Sequence, residues 1–176
     1  MKKINVIDLD NTLIPYDSFR VFVINKIRSG NISVIFYTIL RKIRFLSLAE
    51  YKRRVILSSG FLNDSKTIDK IVDRILQSIN PRIMKVAKEN TDDNTLNILC
   101  SASPDVYVKK VAQQLNWIGY GSYFKNKYFI HLWGHNKLTF IKSNYPVTDY
   151  IYNFAISDSK RDLELIKQFK FWLLLN

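Results

Sequence analysis

Three short segments of this chain share one pattern, an apolar run that ends on a polar side chain. Ile4, Val6 and Ile7 lead into Asp8 and Leu9; Leu96, Ile98, Leu99 and Cys100 lead into Ser101; Ile151, Tyr152, Phe154, Ala155 and Ile156 lead into Ser157 and Asp158. Short apolar runs bounded by polar residues read as strands buried on both faces, the pattern of a parallel sheet. The carboxyl ends of such strands form the ligand crevice of an open α/β sheet, so Asp8, Ser101 and Asp158 are expected at one place. The run 171–175, Phe-Trp-Leu-Leu-Leu, reads as a further strand.

Roughly 90 residues separate the first and second strands, far more than the dozen or so that a crossover requires. Their periodicity is helical. Asp17-Ser18 can start a helix carrying Phe19, Phe22, Val23 and Ile27, and Ser29-Gly30-Asn31 breaks it before a second apolar segment reaching Phe45. Asn63-Asp64-Ser65 starts another, with Ile68, Ile71, Val72, Ile75, Leu76 and Ile79 at helical spacing up to Pro81. The expected organisation is a core formed by 1–15 and 91–176 and an all-helical insertion over 16–90.

Composition narrows the class. At 176 residues, 47% hydrophobic and 24% charged, with 5 Gly and 4 Pro, the chain is neither disordered nor collagen-like. Cys100 is the single cysteine, which excludes a disulfide framework, and its place at the end of an apolar strand predicts a packed core thiol. The most apolar charge-free stretch, 29–40, is too short to span a bilayer. Acid arrives at Asp8 before any secretory-type apolar run, so a cytoplasmic protein is expected. Charge is the unusual quantity: 27 Lys and Arg against 15 Asp and Glu give +12, which suggests an anionic partner. Residues 16–90 hold 15 basic and 6 acidic side chains, so most of the surplus lies in the helical insertion.

The candidate chemistry sits at the strand ends. Asp8-Leu9-Asp10-Asn11-Thr12 places two carboxylates two residues apart where a strand enters a loop. Ser101 is followed by Ser103-Pro104-Asp105, which reads as a helix start with Pro at the first helical position and free N–H groups facing the crevice. A hydroxyl beside a helix start suits a phosphate. Ser157-Asp158-Ser159-Lys160-Arg161-Asp162 leaves a strand for a helix, with Asp158 either a helix cap or a ligand. Four carboxylates gathered without partners would repel one another, and a hard divalent cation, Mg²⁺, is the economical way to hold them. His131 and His135 have no third nitrogen or sulfur partner nearby in sequence and are expected to be loop or substrate-contact residues, not a zinc site.

With those segments in view, the sequence resembles the haloacid dehalogenase-like superfamily, in its phosphoserine-phosphatase-like branch with a helical cap inserted after the first motif. The four motifs are 8–12 (Asp-Leu-Asp-Asn-Thr), 99–104 (Leu-Cys-Ser-Ala-Ser-Pro), 134–137 (Gly-His-Asn-Lys) and 157–162. The resemblance implies a Rossmann-like α/β core with a parallel sheet flanked by helices. It implies that Asp8 is a nucleophile and Asp10 a general acid and base. Ser101 and Lys137 would hold the phosphoryl group, with Ala102, Asn11 and Thr12 beside the substrate. Asp158 would complete a Mg²⁺ site with Asp8 and the Asp10 main-chain carbonyl, and Asp162 and Ser159 would play supporting parts. Lys142 is the alternative to Lys137. An acid at position 10 suits an alkoxide leaving group and argues for phosphatase over dehalogenase chemistry.

Residues 31–46 are apolar on nearly all sides and are followed by Arg41, Lys42, Arg44 and then Lys52-Arg53-Arg54. They read either as a helix buried inside the cap with its basic end solvated or as an element lying on an anionic membrane surface. With the 134–137 motif, this layout also looks like the subgroup containing a bacterial phosphatidylglycerophosphate phosphatase. No acidic residue of the insertion stands out to hold an amino-acid ammonium, Asp17 and Glu50 having capping or surface explanations, so phosphoserine is not the first substrate expected. The leading expectation is a Mg²⁺-dependent phosphatase acting on a small or lipid-linked phosphomonoester, with peripheral contact to the inner face of a membrane. The alternatives are a phosphotransferase using the same aspartyl-phosphate and a non-catalytic module for anionic lipid or nucleic acid. No nucleic-acid motif accompanies the basic residues, so nucleic acid is not favoured. Only 14 residues follow Asp162, room for one strand and no closing helix.

Overall fold

The computed structural model describes residues 1–175 and contains one six-stranded sheet, ordered β4-β3-β2-β1-β5-β6. The strands are β1 (Lys2–Ile7), β2 (Thr95–Pro104), β3 (Ile118–Lys125), β4 (Tyr128–Ile130), β5 (Tyr150–Ser157) and β6 (Phe171–Leu174). Every pairing is parallel except the β3–β4 hairpin. The α/β class and the four strands expected from the apolar runs are present; β3 and β4 come in addition. Register explains why three distant polar residues meet. Ile7 lies opposite Leu99 on one side and Ile156 on the other, so Asp8, Ser101 and Asp158 all come one or two residues after a common level of the sheet.

Residues 18–89 are helical: α1 (Ser18–Arg28), α2 (Ile32–Lys42), α3 (Leu48–Ser58), α4 (Ser65–Gln77) and α5 (Pro81–Glu89), with a 3-10 turn at Phe61–Asn63. Each α-helix start is encoded locally. Asp17, Asn31, Ser47, Asp64 and Asn80 each accept a main-chain N–H from the first turn, respectively of Arg20, Val34, Glu50, Thr67 and Arg82, which satisfies a donor the helix itself leaves unpaired. The remaining helices are α6 (Asp105–Gln114), α7 (His135–Asn144) and α8 (Leu163–Ile166).

Alternation along the strands divides the core in two. Ile7, Leu99 and Phe154 face a cluster that includes Phe22, Phe61, Ile75, Tyr107 and Val111, so α1, α4, α5 and α6 cover this side. Ile4, Val6, Ile98, Cys100 and Ala155 face Leu138, Ile141, Leu165 and Ile166 of α7 and α8. Burial pushes the Cys100 thiol up to about 12, as suits a core thiol.

Two sequence expectations are corrected here. Pro104 is not the first residue of a helix: β2 runs through it and α6 begins at Asp105, with Pro104 as a cap that makes no side-chain bond. The Ser103 hydroxyl is turned toward Asp10, so it does not cap α6. The alternative that buries the second apolar segment also fails, since Val34 is the one buried residue of α2.

The β2–α6 junction is closely backed by β3. A Cβ placed on Gly121 would lie 2.5 Å from the Ser103 carbonyl oxygen and 2.6 Å from the Asp105 Cα, and one on Gly119 would lie 2.8 Å from the Ala112 Cβ. Backbone cannot yield there as a flexible side chain would. Beyond the hairpin, His131 is 7% exposed and lies between Phe129 and Trp133, with near-parallel rings at 6.1 and 5.8 Å. Burial and the positive charges of Lys52 and Lys137 push its imidazole down to about 4.

Two outcomes follow from this packing. Gly121→Ala is expected to lower stability by about 1–3 kcal/mol through overpacking, read as a shift in the urea midpoint. In the unfolded chain His131 takes up a proton below about 6.5, whereas the folded chain refuses it until about 4, so stability falls as pH drops through that window. His131→Phe removes this contribution, and its thermal midpoint should fall less between neutral pH and pH near 4 than that of the wild type.

Candidate active site

Asp8 follows the last residue of β1, its N–H donating to the Ile156 carbonyl at 3.0 Å, and it is 8% exposed. Lys137, in the first turn of α7, is 3% exposed, and its Nζ donates to Asp8 Oδ1 at 3.0 Å and to Asp162 Oδ2 at 2.6 Å. Gly134 starts that turn with φ +55°, a conformation in which a side chain would be strained. The Ser157 hydroxyl, at the end of β5, lies 2.9 Å from Asp162 Oδ2 and 3.4 Å from Asp8 Oδ2, and accepts the N–H of Ser159. Burial lifts the Asp8 carboxyl above the ordinary carboxylate range while Lys137 pulls against it. Two carboxylates hold the Lys137 ammonium charged against its own desolvation.

Asp10 has a separate set of partners. Its Oδ1 accepts the Ser18 N–H at 2.7 Å, its Oδ2 accepts the Ser103 hydroxyl, and the Ser101 hydroxyl stands at 3.4 Å. The Ser18 hydroxyl in turn meets Ser103 Oγ and the buried Tyr107 hydroxyl. Burial raises the Asp10 carboxyl, opposed by the hydrogen bonds of Ser103 and Ser18.

The four carboxylates therefore do not form the single self-repelling cluster expected from sequence. Asp8 and Asp162 share Lys137, Asp10 is held by hydroxyls and an amide, and Asp158 stands beside Thr12. Thr12 Oγ1 accepts the Asp158 N–H at 2.9 Å and lies 3.4 Å from Asp158 Oδ1. The helix-cap reading of Asp158 also fails: Ser159 caps the 3-10 turn at Lys160–Asp162, accepting the Arg161 N–H. Asp162 Oδ1 is buried without a hydrogen-bond partner among the described residues.

Of the other expected residues, Ser101 is 1% exposed at the heart of the pocket. Ala102 presents its carbonyl to Lys52 Nζ and to Ser122 Oγ. Asn11 is exposed at the loop tip with φ 53°. Lys142 is exposed on the last turn of α7, so the buried lysine beside Asp8 is Lys137. His135 lies on the surface, 3.3 Å from Glu164. Asp17 caps α1, and Glu50 pairs with Arg53 and Arg54, as their capping and surface readings require.

Three contributors went unrecognised in the sequence. Ser157 directly precedes the flagged Asp158, and its place at a strand end was the available signal. Ser18 was read only as a helix start. Lys52 was read as part of a surface charge run, yet it is 7% exposed, reaching from α3 to the Ala102 carbonyl at 2.9 Å and over the Phe19 ring. Desolvation lowers its ammonium, while Asp10, Asp17 and Asp8 oppose that shift.

The donors suit Mg²⁺, which prefers oxygen and is usually held by one or two carboxylates plus substrate phosphate. Asp8 and Asp158 end adjacent strands and supply two carboxylates. The Asp10 side chain is committed to Ser18 and Ser103, and its main-chain carbonyl is the further oxygen that the family resemblance implies. Among the described residues no three or more His, Cys, Asp or Glu side chains are grouped to hold an ion by themselves.

Comparison with known proteins places this arrangement. A protein of unknown function from Bordetella pertussis Tohama I superposes with a TM-score of 0.72 at 13% identity, over 99% of this chain and 90% of its own. A phosphoserine phosphohydrolase-like protein from Francisella tularensis gives 0.60 at 15% identity, over 96% and 83%. A substrate-bound phosphoserine phosphatase gives 0.56 at 15% identity, over 98% and 85%. No curated protein matches the chain. The family model of haloacid dehalogenase-like hydrolases matches residues 6–167, and with the fold shared by these structures this establishes that the chain belongs to the haloacid dehalogenase-like hydrolases.

Proposed function

We propose that the chain is a Mg²⁺-dependent phosphomonoesterase working through an aspartyl-phosphate on Asp8, with 1–15 and 91–176 as catalytic core and 16–90 as a helical cap. The observation that carries this reading is the Lys137 ammonium fixed between Asp8 and Asp162, beside a second carboxylate, Asp10, that has an independent set of partners.

The reaction balances in two displacements. An Asp8 carboxylate oxygen attacks phosphorus as the ester P–O bond breaks, and Asp10 gives its proton to the departing alkoxide. Asp10 then takes a proton from water as that water attacks the same phosphorus, and the Asp8–phosphorus bond breaks to release inorganic phosphate. Lys137 and Ser101 line the space for the phosphoryl oxygens, where fixed donors act on charge that grows in the transition state. Asp162 and Ser157 position Lys137 and Asp8. Asp8, Asp158 and the Asp10 carbonyl would hold the ion, which supplies positive charge against the phosphoryl oxygens when bound. The substrate in this reading is a small or lipid-linked phosphomonoester, and the buried Lys52 favours one with further negative charge near the phosphate.

The test is phosphate release from a panel of amino-acid, sugar and lipid phosphates, the last in detergent, with Mg²⁺ or EDTA. Turnover is expected with Mg²⁺ and not with EDTA, and Asp8→Asn should abolish it while the circular dichroism stays native. Asp10→Asn is expected to lower kcat by about 10²–10⁴, the usual range for general acid–base catalysis. Added glycerol should leave the yield of inorganic phosphate unchanged; diversion to glycerol phosphate would make the protein a phosphotransferase. Turnover retained in Asp8→Asn would end the aspartyl-phosphate mechanism.

A further inference from the structure

Among the described residues none covers the outer face of α2. Ile32, Phe36, Ile39 and Ile43 follow one another at steps of four, three and four, a spacing that places them on a single stripe. They are 80%, 53%, 55% and 64% exposed, and Phe45 just beyond them is 76% exposed. The stripe runs for about 16 Å at the helical rise. Contiguous exposed apolar surface of this kind marks an interaction site more often than scattered single residues do.

The charge along this stretch of chain is one-signed. From Ser18 to Ala49 there is no Asp or Glu, while Arg20, Lys26, Arg28, Arg41, Lys42 and Arg44 are all basic. Arg28 is exposed at the end of α1, next to the start of the ridge, and Lys42 and Arg44 are exposed at its far end. None of these three forms a salt bridge among the described residues.

We propose that this ridge is a docking surface for an anionic lipid bilayer, with Ile32, Phe36, Ile39, Ile43 and Phe45 entering the interface while Arg28, Lys42 and Arg44 meet the headgroups. Apolar side chains flanked by unpaired cations fit that environment on both counts. A second copy of the chain fits worse, because pairing two such ridges brings their basic ends together. A nucleic acid would meet the cations but leave a row of isoleucines without a partner. The contact is peripheral, since among the described residues no helix is long and apolar enough to cross a membrane. The ridge lies outside the catalytic pocket, so the inference stands or falls apart from the phosphatase reading.

The experiment is sedimentation of the full chain with vesicles of equimolar phosphatidylcholine and phosphatidylglycerol, and with vesicles of phosphatidylcholine alone. Binding is expected to the anionic vesicles, weakened by salt, and little to the neutral ones. Phe36→Ser with Ile39→Ser, and separately Lys42→Glu with Arg44→Glu, should each reduce binding by about tenfold or more, each basic residue near such a surface contributing of the order of one decade at most. Both pairs are exposed, so thermal midpoints and phosphate release from a soluble substrate should be unchanged. The proposal is overturned if the wild type ignores anionic vesicles or if both double variants bind as it does. It is equally overturned if gel filtration shows a self-associated wild type that the Phe36→Ser, Ile39→Ser variant turns into a monomer, which would make the ridge an interface between copies.

Discussion

One buried ammonium organises the pocket. Lys137 is almost wholly removed from water and survives as a cation because Asp8 and Asp162 face it from two different elements, the loop after β1 and the turn after β5. Desolvating three charges is unfavourable, and their attraction offsets it only where geometry is close and the remaining lone pairs find donors. Ser157 supplies such a donor to Asp162. The triad thereby fixes where α7 and the 160–166 segment sit relative to β1, and a chain that builds it must also build the strand ends around it.

The second constraint comes from the helical insertion. It meets the strand ends through Ser18, whose amide donates to Asp10 and whose hydroxyl meets Ser103 and Tyr107, and through the Lys52 ammonium on the Ala102 carbonyl. The same helices share a continuous apolar cluster with the sheet, in which the Phe22 and Phe61 rings lie 4.3 Å apart with their planes tilted by 43°. The insertion is thus held by broad, non-directional burial at its base and by a few directional bonds near the strand ends.

What could be read from the sequence follows from which forces act locally. The strands β1, β2 and β5 announce themselves because burial on both faces demands unbroken apolar runs, and the nearness of Asp8 and Asp158 was legible because each directly follows one of these strands, whereas Lys137 was singled out only by the resemblance of its 134–137 segment. The helix starts of the insertion were legible where cap and periodicity coincide, as at Asp64. β3 was not: Gly119 and Gly121 replace the side chains that would have marked a strand, for a reason that exists only once α6 lies against it. Lys52 was hidden likewise, since Lys52-Arg53-Arg54 is a uniform charge run in sequence and only the phase of α3 sends one of the three inward. The partition of four carboxylates into separately satisfied sets was also invisible, because it depends on which donors the tertiary fold brings near.

Burial leaves the acids little contact with water: Asp8 is 8% exposed and Ser101, Lys137 and Asp162 less. The insertion adds a cation of its own at this end of the sheet, since Lys52 reaches the Ala102 carbonyl and its charge acts on Asp10 and Asp8. The acids are thus shadowed by two buried ammoniums from distant parts of the chain, and the local potential is less negative than a count of carboxylates would give.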